Sequence, residues 1–146
     1  MPVEAQVEDK QSFEVTIQGP DGANRMIICT GQLRIWFSAS DNTASGSGVV
    51  QKETFTALID PQLEAGQFKR AIAVASLADI SYFDNDPAQR DGAQWSIEEA
   101  QADFDDESGM VQLRVSVMLN PRGIGSSASI QRISFQVTTI AAVPGQ

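Results

Sequence analysis

The chain reads as a single all-β domain, an antiparallel β-sandwich of about seven to eight strands with little or no helix. Three features point there. Apolar residues recur at every second position, the period of a strand with one buried face. Clusters of Gly, Pro, Asp and Asn punctuate those runs. Helical segments alternating with the strands, which a βαβ sheet needs, are missing. A chain of 146 residues suits one domain and can build a core without disulfides or a metal.

The elements follow in order. Residues 1–10 hold three acids and one base and read as an acidic N-terminal tail before a sandwich domain over residues 11–141. Phe13, Val15 and Ile17 alternate with Glu14, Thr16 and Gln18, a half-buried strand. Gly19-Pro20-Asp21-Gly22-Ala23-Asn24 is a turn, because proline presets one φ and glycine permits a positive one. Arg25 to Ser38 returns as a long strand with an expected break near Gly31. Asp41 to Gly48 is a flexible loop by composition. Val49 to Ile59 is a strand that stops at Asp60-Pro61, since proline has no N–H for the ladder. Phe68 to Phe83 is read as strand in one or two pieces, although Ala71, Ala73, Ala75 and Ala78 also suit a helix. A loop over 84–92, a strand from Trp95 to Phe104, a hairpin turn at 105–109 and a strand from Val111 to Leu119 follow. After the loop 120–129, Ile133, Phe135 and Val137 mark the last strand, and 142–146 is a C-terminal tail.

Trp95 and Ile97 share one parity, whereas Ala100, Ala102 and Phe104 share the other. Both sets can face the core only if one extra residue lies between them, which places a β-bulge at Glu98-Glu99.

Composition removes several function classes. Histidine is absent and Cys29 is the single cysteine. That excludes Ser-His-Asp and Cys-His catalysis, imidazole zinc sites and an internal disulfide. Glycine-rich phosphate loops and nucleophile elbows are absent, and Glu98 and Glu99 are adjacent, so a carboxylate-based hydrolase is the weakest alternative. Cys29, after Met26-Ile27-Ile28, reads as inert packing. A net charge of −9 argues against a nucleic-acid partner. No apolar run is long enough to span a bilayer and the acidic start lacks a secretory pattern, so the expectation is a cytoplasmic site of synthesis, with later release from the cell left open.

The charge is local. From Asp79 to Glu107 there are ten acids against Arg90, a sum of −9, and the remaining nine acids and nine bases cancel. Calcium is the one cofactor this region suggests: Asp84, Asp86 and Asp91 in one loop could meet Asp105, Asp106 and Glu107 in the next turn and offer a hard cation its oxygens. A calcium-dependent or carbohydrate-binding module using loops 84–91 and 105–107 is therefore the first alternative. The plainer expectation is solvated turns, with Asp105 to Gly109 as a hairpin connection, and with the acids available to a basic partner surface.

Two segments, Met26-Ile27-Ile28-Cys29 and Ile35-Trp36-Phe37, are apolar on both parities. A strand apolar on both faces must be covered on both. If Ile35 and Phe37 face the core, Trp36 faces away, under either the 42–48 loop or a partner. The expected function is a non-catalytic structural or adaptor subunit that binds protein partners or itself, with Trp36 as anchor and Asp84, Asp86, Asp91, Asp105, Asp106 and Glu107 as the acidic rim.

Overall fold

The computed structural model describes residues 2–20, 22–84 and 92–143. Its elements are β1 (Val3–Glu4), β2 (Gln6–Gly19), β3 (Gly22–Ser40), β4 (Gln51–Ile59), β5 (Phe68–Phe83), β6 (Ala93–Asp105), β7 (Met110–Pro121) and β8 (Ser127–Ala142). They form two four-stranded sheets, A in the order β1-β4-β7-β6 and B in the order β2-β3-β8-β5. The all-β sandwich is as expected, with one correction: sheet A is mixed, because β1 pairs with β4 in parallel. Parts of the expected tail are also strand, since Val3–Glu4 joins sheet A and Gln6–Lys10 begins β2. Apolar Ala5 and Val7, which pack against the core, hold that segment down despite its acids.

The core lies between the sheets. Val111, Leu113, Val115, Val117 and Leu119 on β7 and Ile130, Ile133 and Val137 on β8 are fully buried. Each such side chain contributes roughly 1.5–3 kcal/mol by leaving water. Phe37 meets Phe55 edge-on at 6.2 Å on one flank, and Phe68 stacks on Phe104 at 5.6 Å on the other.

Residues 68–83 form one strand, with register irregularities between Phe68 and Arg70 and between Leu77 and Ile80. β3 runs unbroken through Gly31. That glycine lies opposite Phe135, and a Cβ there would stand 2.9 Å from the ring and 3.1 Å from the Glu8 carbonyl oxygen. Close approach of ring and backbone, rather than a strand end, requires glycine at this position.

The expected bulge is present. Trp95 and Ile97 pair with Leu119 and Val117, the register shifts between Ile97 and Glu99, and Ala100, Ala102 and Phe104 pair with Val115, Leu113 and Val111. All five are set opposite buried β7 residues, while Glu98 and Glu99 are exposed.

The 41–48 segment is tied down, contrary to its flexible composition. Asp41 is fully buried. Its carboxylate accepts the Thr43 N–H and hydroxyl (2.9 and 2.6 Å), the Gly48 N–H (3.1 Å) and the Gly123 N–H (3.0 Å). Four donors offset the cost of burying the charge. The Thr43 hydroxyl foremost, with the backbone N–H groups, holds this carboxyl below the usual range against the opposing effect of burial.

Candidate functional site

The outward-facing surfaces of the two sheets differ in chemistry. On sheet A, paired rungs read Lys52–Met118–Ser96, Thr54–Ser116–Glu99, Thr56–Arg114–Gln101 and Leu58–Gln112–Asp103. This face is polar, and its concavity of about 320 Å³ is lined by Lys52, Glu53, Thr54, Glu98 and Arg114 among others, with both signs of charge present.

Sheet B carries large apolar residues in adjoining rungs toward one end of its outer face. Phe13, Ile28, Thr138 and Ile72 form one rung across all four strands. Val15, Met26 and Ile140 lead the rung on one side, and Val74 ends the rung on the other. Phe13, Ile72 and Val74 are 56%, 60% and 62% exposed. The alternation in β2 and β5 identified strands correctly, but the large apolar parity faces water. In β2, Ser12 is paired with buried Cys29, which puts Phe13 and Val15 on the outer side. In β5, Ala71, Ala73 and Ala75 pack inward and leave Ile72 and Val74 outside. Small inward residues suit this edge, where β5 comes up against Ala100 and Ala102 of β6.

Further along the same face a charged cluster joins the Arg34–Arg132–Asp79 rung to Glu8 in the next one. Arg132 on β8 donates from Nε to Glu8 (3.1 Å) and from Nη1 to Asp79 (3.0 Å), and Arg34 lies 3.6 Å from the other Glu8 oxygen. Glu8, then Asp79, push the Arg132 guanidinium still higher than its usual pKa. Arg34 and Arg132 are directly opposite one another, so Glu8 also screens a like-charge pair.

Beyond that rung stands Trp36. The register slips by one residue between Arg34 and Phe37, and Trp36 adopts φ 53°, the left-handed region. Ile35 and Phe37 pack against the core, whereas Trp36 is 70% exposed. The 42–48 loop does not cover it. A bulky residue in this conformation carries strain, and such strain is characteristic of functional positions.

Of the six acids in the calcium expectation, Asp84, Asp105, Asp106 and Glu107 are among the described residues. Asp84 follows the end of β5, where the Tyr82 hydroxyl lies 3.2 Å from both its Oδ2 and the Arg122 carbonyl. Asp105 closes the far end of β6, a strand of 13 residues. At about 3.3 Å per residue β6 spans roughly 40 Å, which sets Asp84 and Asp105 at opposite ends of the sandwich. β5 belongs to sheet B and β6 to sheet A, an arrangement that the sequence spacing concealed. Asp86 and Asp91 lie outside the described residues. Asp105 is committed to its own turn: Oδ2 accepts the Ser108 N–H (3.1 Å) and hydroxyl (2.6 Å), and its carbonyl accepts the Gly109 N–H (2.8 Å). Gly109, at φ 72°, completes the hairpin. Asp106 and Glu107 are exposed. Among the described residues no group of three acids or cysteines is placed to hold a metal.

Cys29 is fully buried, and burial pushes its thiol pKa up, with the Ser12 hydroxyl opposing. A thiol so placed is protonated and shielded. Of the flat rings suited to stacking on a sugar, Trp95 packs against the core with its indole N–H on the Ser129 carbonyl (3.2 Å), and Tyr82 also packs there. That leaves Trp36 as the tryptophan offered to solvent. No described residue is helical, and no helix is long and apolar enough to cross a membrane. No protein-family model, curated protein or solved structure matches the chain.

Proposed function

We propose that this chain is a non-catalytic structural or adaptor subunit that works by protein–protein contact through the outer face of sheet B. One observation carries the reading: the large aliphatic and aromatic residues of β2, β3 and β5 stand on the solvent side of their sheet in adjoining rungs, while the outer face of sheet A is polar. Contiguous apolar surface on a soluble fold marks a place where another molecule excludes water. Trp36 adds an aromatic anchor of the kind that dominates interface energetics. The charged cluster of Glu8, Arg34, Arg132 and Asp79 lies between the apolar rungs and Trp36 and fixes orientation.

The test uses the tagged full chain in native lysate. On a native gel the chain migrates in a complex above its own 15.7 kDa. Ile72→Glu and Trp36→Ala release it, and Thr54→Glu, on the sheet A face, does not. Equal behaviour of all three variants contradicts the assignment.

A further inference from the structure

We infer that the occupant of the sheet B face is a second copy of this chain, docked face to face about a twofold axis. This rests on the reading of that face as a contact surface, and three observations favour the second copy.

The first is charge. The chain carries −9, so two copies repel through most orientations. On the outward side, the paired positions of sheet B from Val15–Arg70 to Ser40–Phe83 carry Arg34, Arg70 and Arg132 against Glu8 and Asp79, a balance of 3 − 2 = +1, and the bulged Asp9-Lys10 beside them adds one charge of each sign. Two such faces meet without the acidic repulsion that the rest of the molecule imposes. A basic protein partner, by contrast, would find its complement on the acidic turns rather than here.

The second is area. From Met26 to Ser40, less the bulged residue, β3 spans about 43 Å, and four strands at about 4.8 Å spacing span about 19 Å. Beyond Arg34, where β2 ends, only three strands continue, so the face measures about 740 Å² per copy, close to the roughly 800 Å² of a standard stable interface.

The third is self-complementarity, which a twofold interface demands. An axis running across the strands through the Gln32–Ser134–Ser76 rung maps that rung onto itself. Trp36 lies four residues to one side of Gln32 in β3 and Ile28 four residues to the other. Because the register slips by one at Trp36, the operation lays each Trp36 between its partner's Thr30–Val74 and Ile28–Ile72 rungs, beside Phe13. The same operation sets the charged Arg34–Arg132 rung against the neutral Thr30–Gln136 rung. Glu8, the β2 member of the axis rung, meets its own copy with its charge already offset by Arg132 and Arg34.

Sedimentation velocity and native mass spectrometry of the purified chain, from 1 to about 100 µM, test the inference. The expected species is a dimer. Trp36→Ala and Ile72→Glu weaken it at least about 50-fold while circular dichroism stays unchanged, and Thr54→Glu leaves it intact. Ser134→Cys, on the axis rung, couples to its copy through a bis-maleimide of about 10 Å, the spacing of packed sheets. Ser40→Cys, at the end of the face, does not couple. A purified monomer throughout, or a dimer indifferent to both face variants, overturns the second copy as occupant. If the lysate complex is still released by those same variants, the wider contact reading stands with a different partner; if neither assembly responds, both fail.

Discussion

Phe13 on β2 and Ile72 on β5 occupy the two ends of one rung across sheet B, each on an edge strand and each more than half exposed. Between them Ile28 and Thr138 complete the rung, and Ile28 belongs to a strand whose opposite face already fills the core with Ile27 and Cys29. β3 is therefore apolar on both sides, with only one side covered by its own chain.

Residues on the outer face contribute little to folding of the isolated chain. Ile72→Thr and Val74→Thr are expected to change unfolding free energy by less than about 0.5 kcal/mol, whereas Leu113→Ala in the core costs about 2–5 kcal/mol. Urea titrations under monomeric conditions measure both. Comparable losses at the two locations contradict the assignment of Ile72 and Val74 to solvent.

Trp36 holds its left-handed backbone against its own preference, at roughly 1 kcal/mol or more. Trp36→Gly relieves this and leaves the monomer as stable as the wild type or up to about 1 kcal/mol more so, while association is lost. Trp36→Val, β-branched at the same φ, lowers stability by at least about 1 kcal/mol. A destabilised glycine variant shows that the indole supports the fold rather than a contact.

Asp41 joins the 41–48 and 122–126 segments through its accepted hydrogen bonds. Its carboxyl titrates below the usual range. Its stabilisation is therefore fully present above the ordinary carboxylate pKa and is lost as pH falls through the lowered folded value. Asp41→Asn lowers the melting temperature at neutral pH, because an amide cannot accept all of these N–H groups, and it flattens the acid limb. Melting curves measured from pH 7 to pH 2 test this. Parallel wild-type and variant profiles contradict it.

The bulge at Glu98 separates two core-facing sets of opposite parity. Deleting Glu98 restores simple alternation with both sets still inward, and the protein folds with a melting temperature within a few degrees of wild type. Deleting Gln101 instead turns Ala102 and Phe104 outward, or, if the bulge is absorbed, brings Glu99 into the core in place of Ala100, and the melting temperature falls far below that of the Glu98 deletion. Circular dichroism melts separate the two cases.

Much of this was legible in the residues. Turn chemistry and period-2 patterning marked the strands, and the parity clash around Glu98-Glu99 located a bulge. The two-sided apolar runs at Met26 to Cys29 and Ile35 to Phe37 pointed to surface needing a second cover. Which face of β2 and β5 is the core was not legible, because alternation has no sign: Phe13 and Ile72 look inward by hydrophobicity, yet Ser12 and Ala73 are the residues that fit beneath. The Asp41 clamp was hidden for a related reason, since a loop composition of Asp, Ser, Thr and Gly does not say whether its donors converge. Topology, too, was not legible from spacing: Asp84 and Asp105 are separated by the full length of β6.

The most direct measurement of the central claim compares oxidation of two methionines by hydroxyl-radical footprinting. Met26 sits on the outer face of sheet B beside Val15, and Met118 sits on the outer face of sheet A beside Lys52. Both are partly exposed. On going from dilute chain to the assembled state, Met26 becomes several-fold slower to oxidise while Met118 keeps its rate. Equal protection of both, or protection of Met118 alone, contradicts the assignment of sheet B as the contact face.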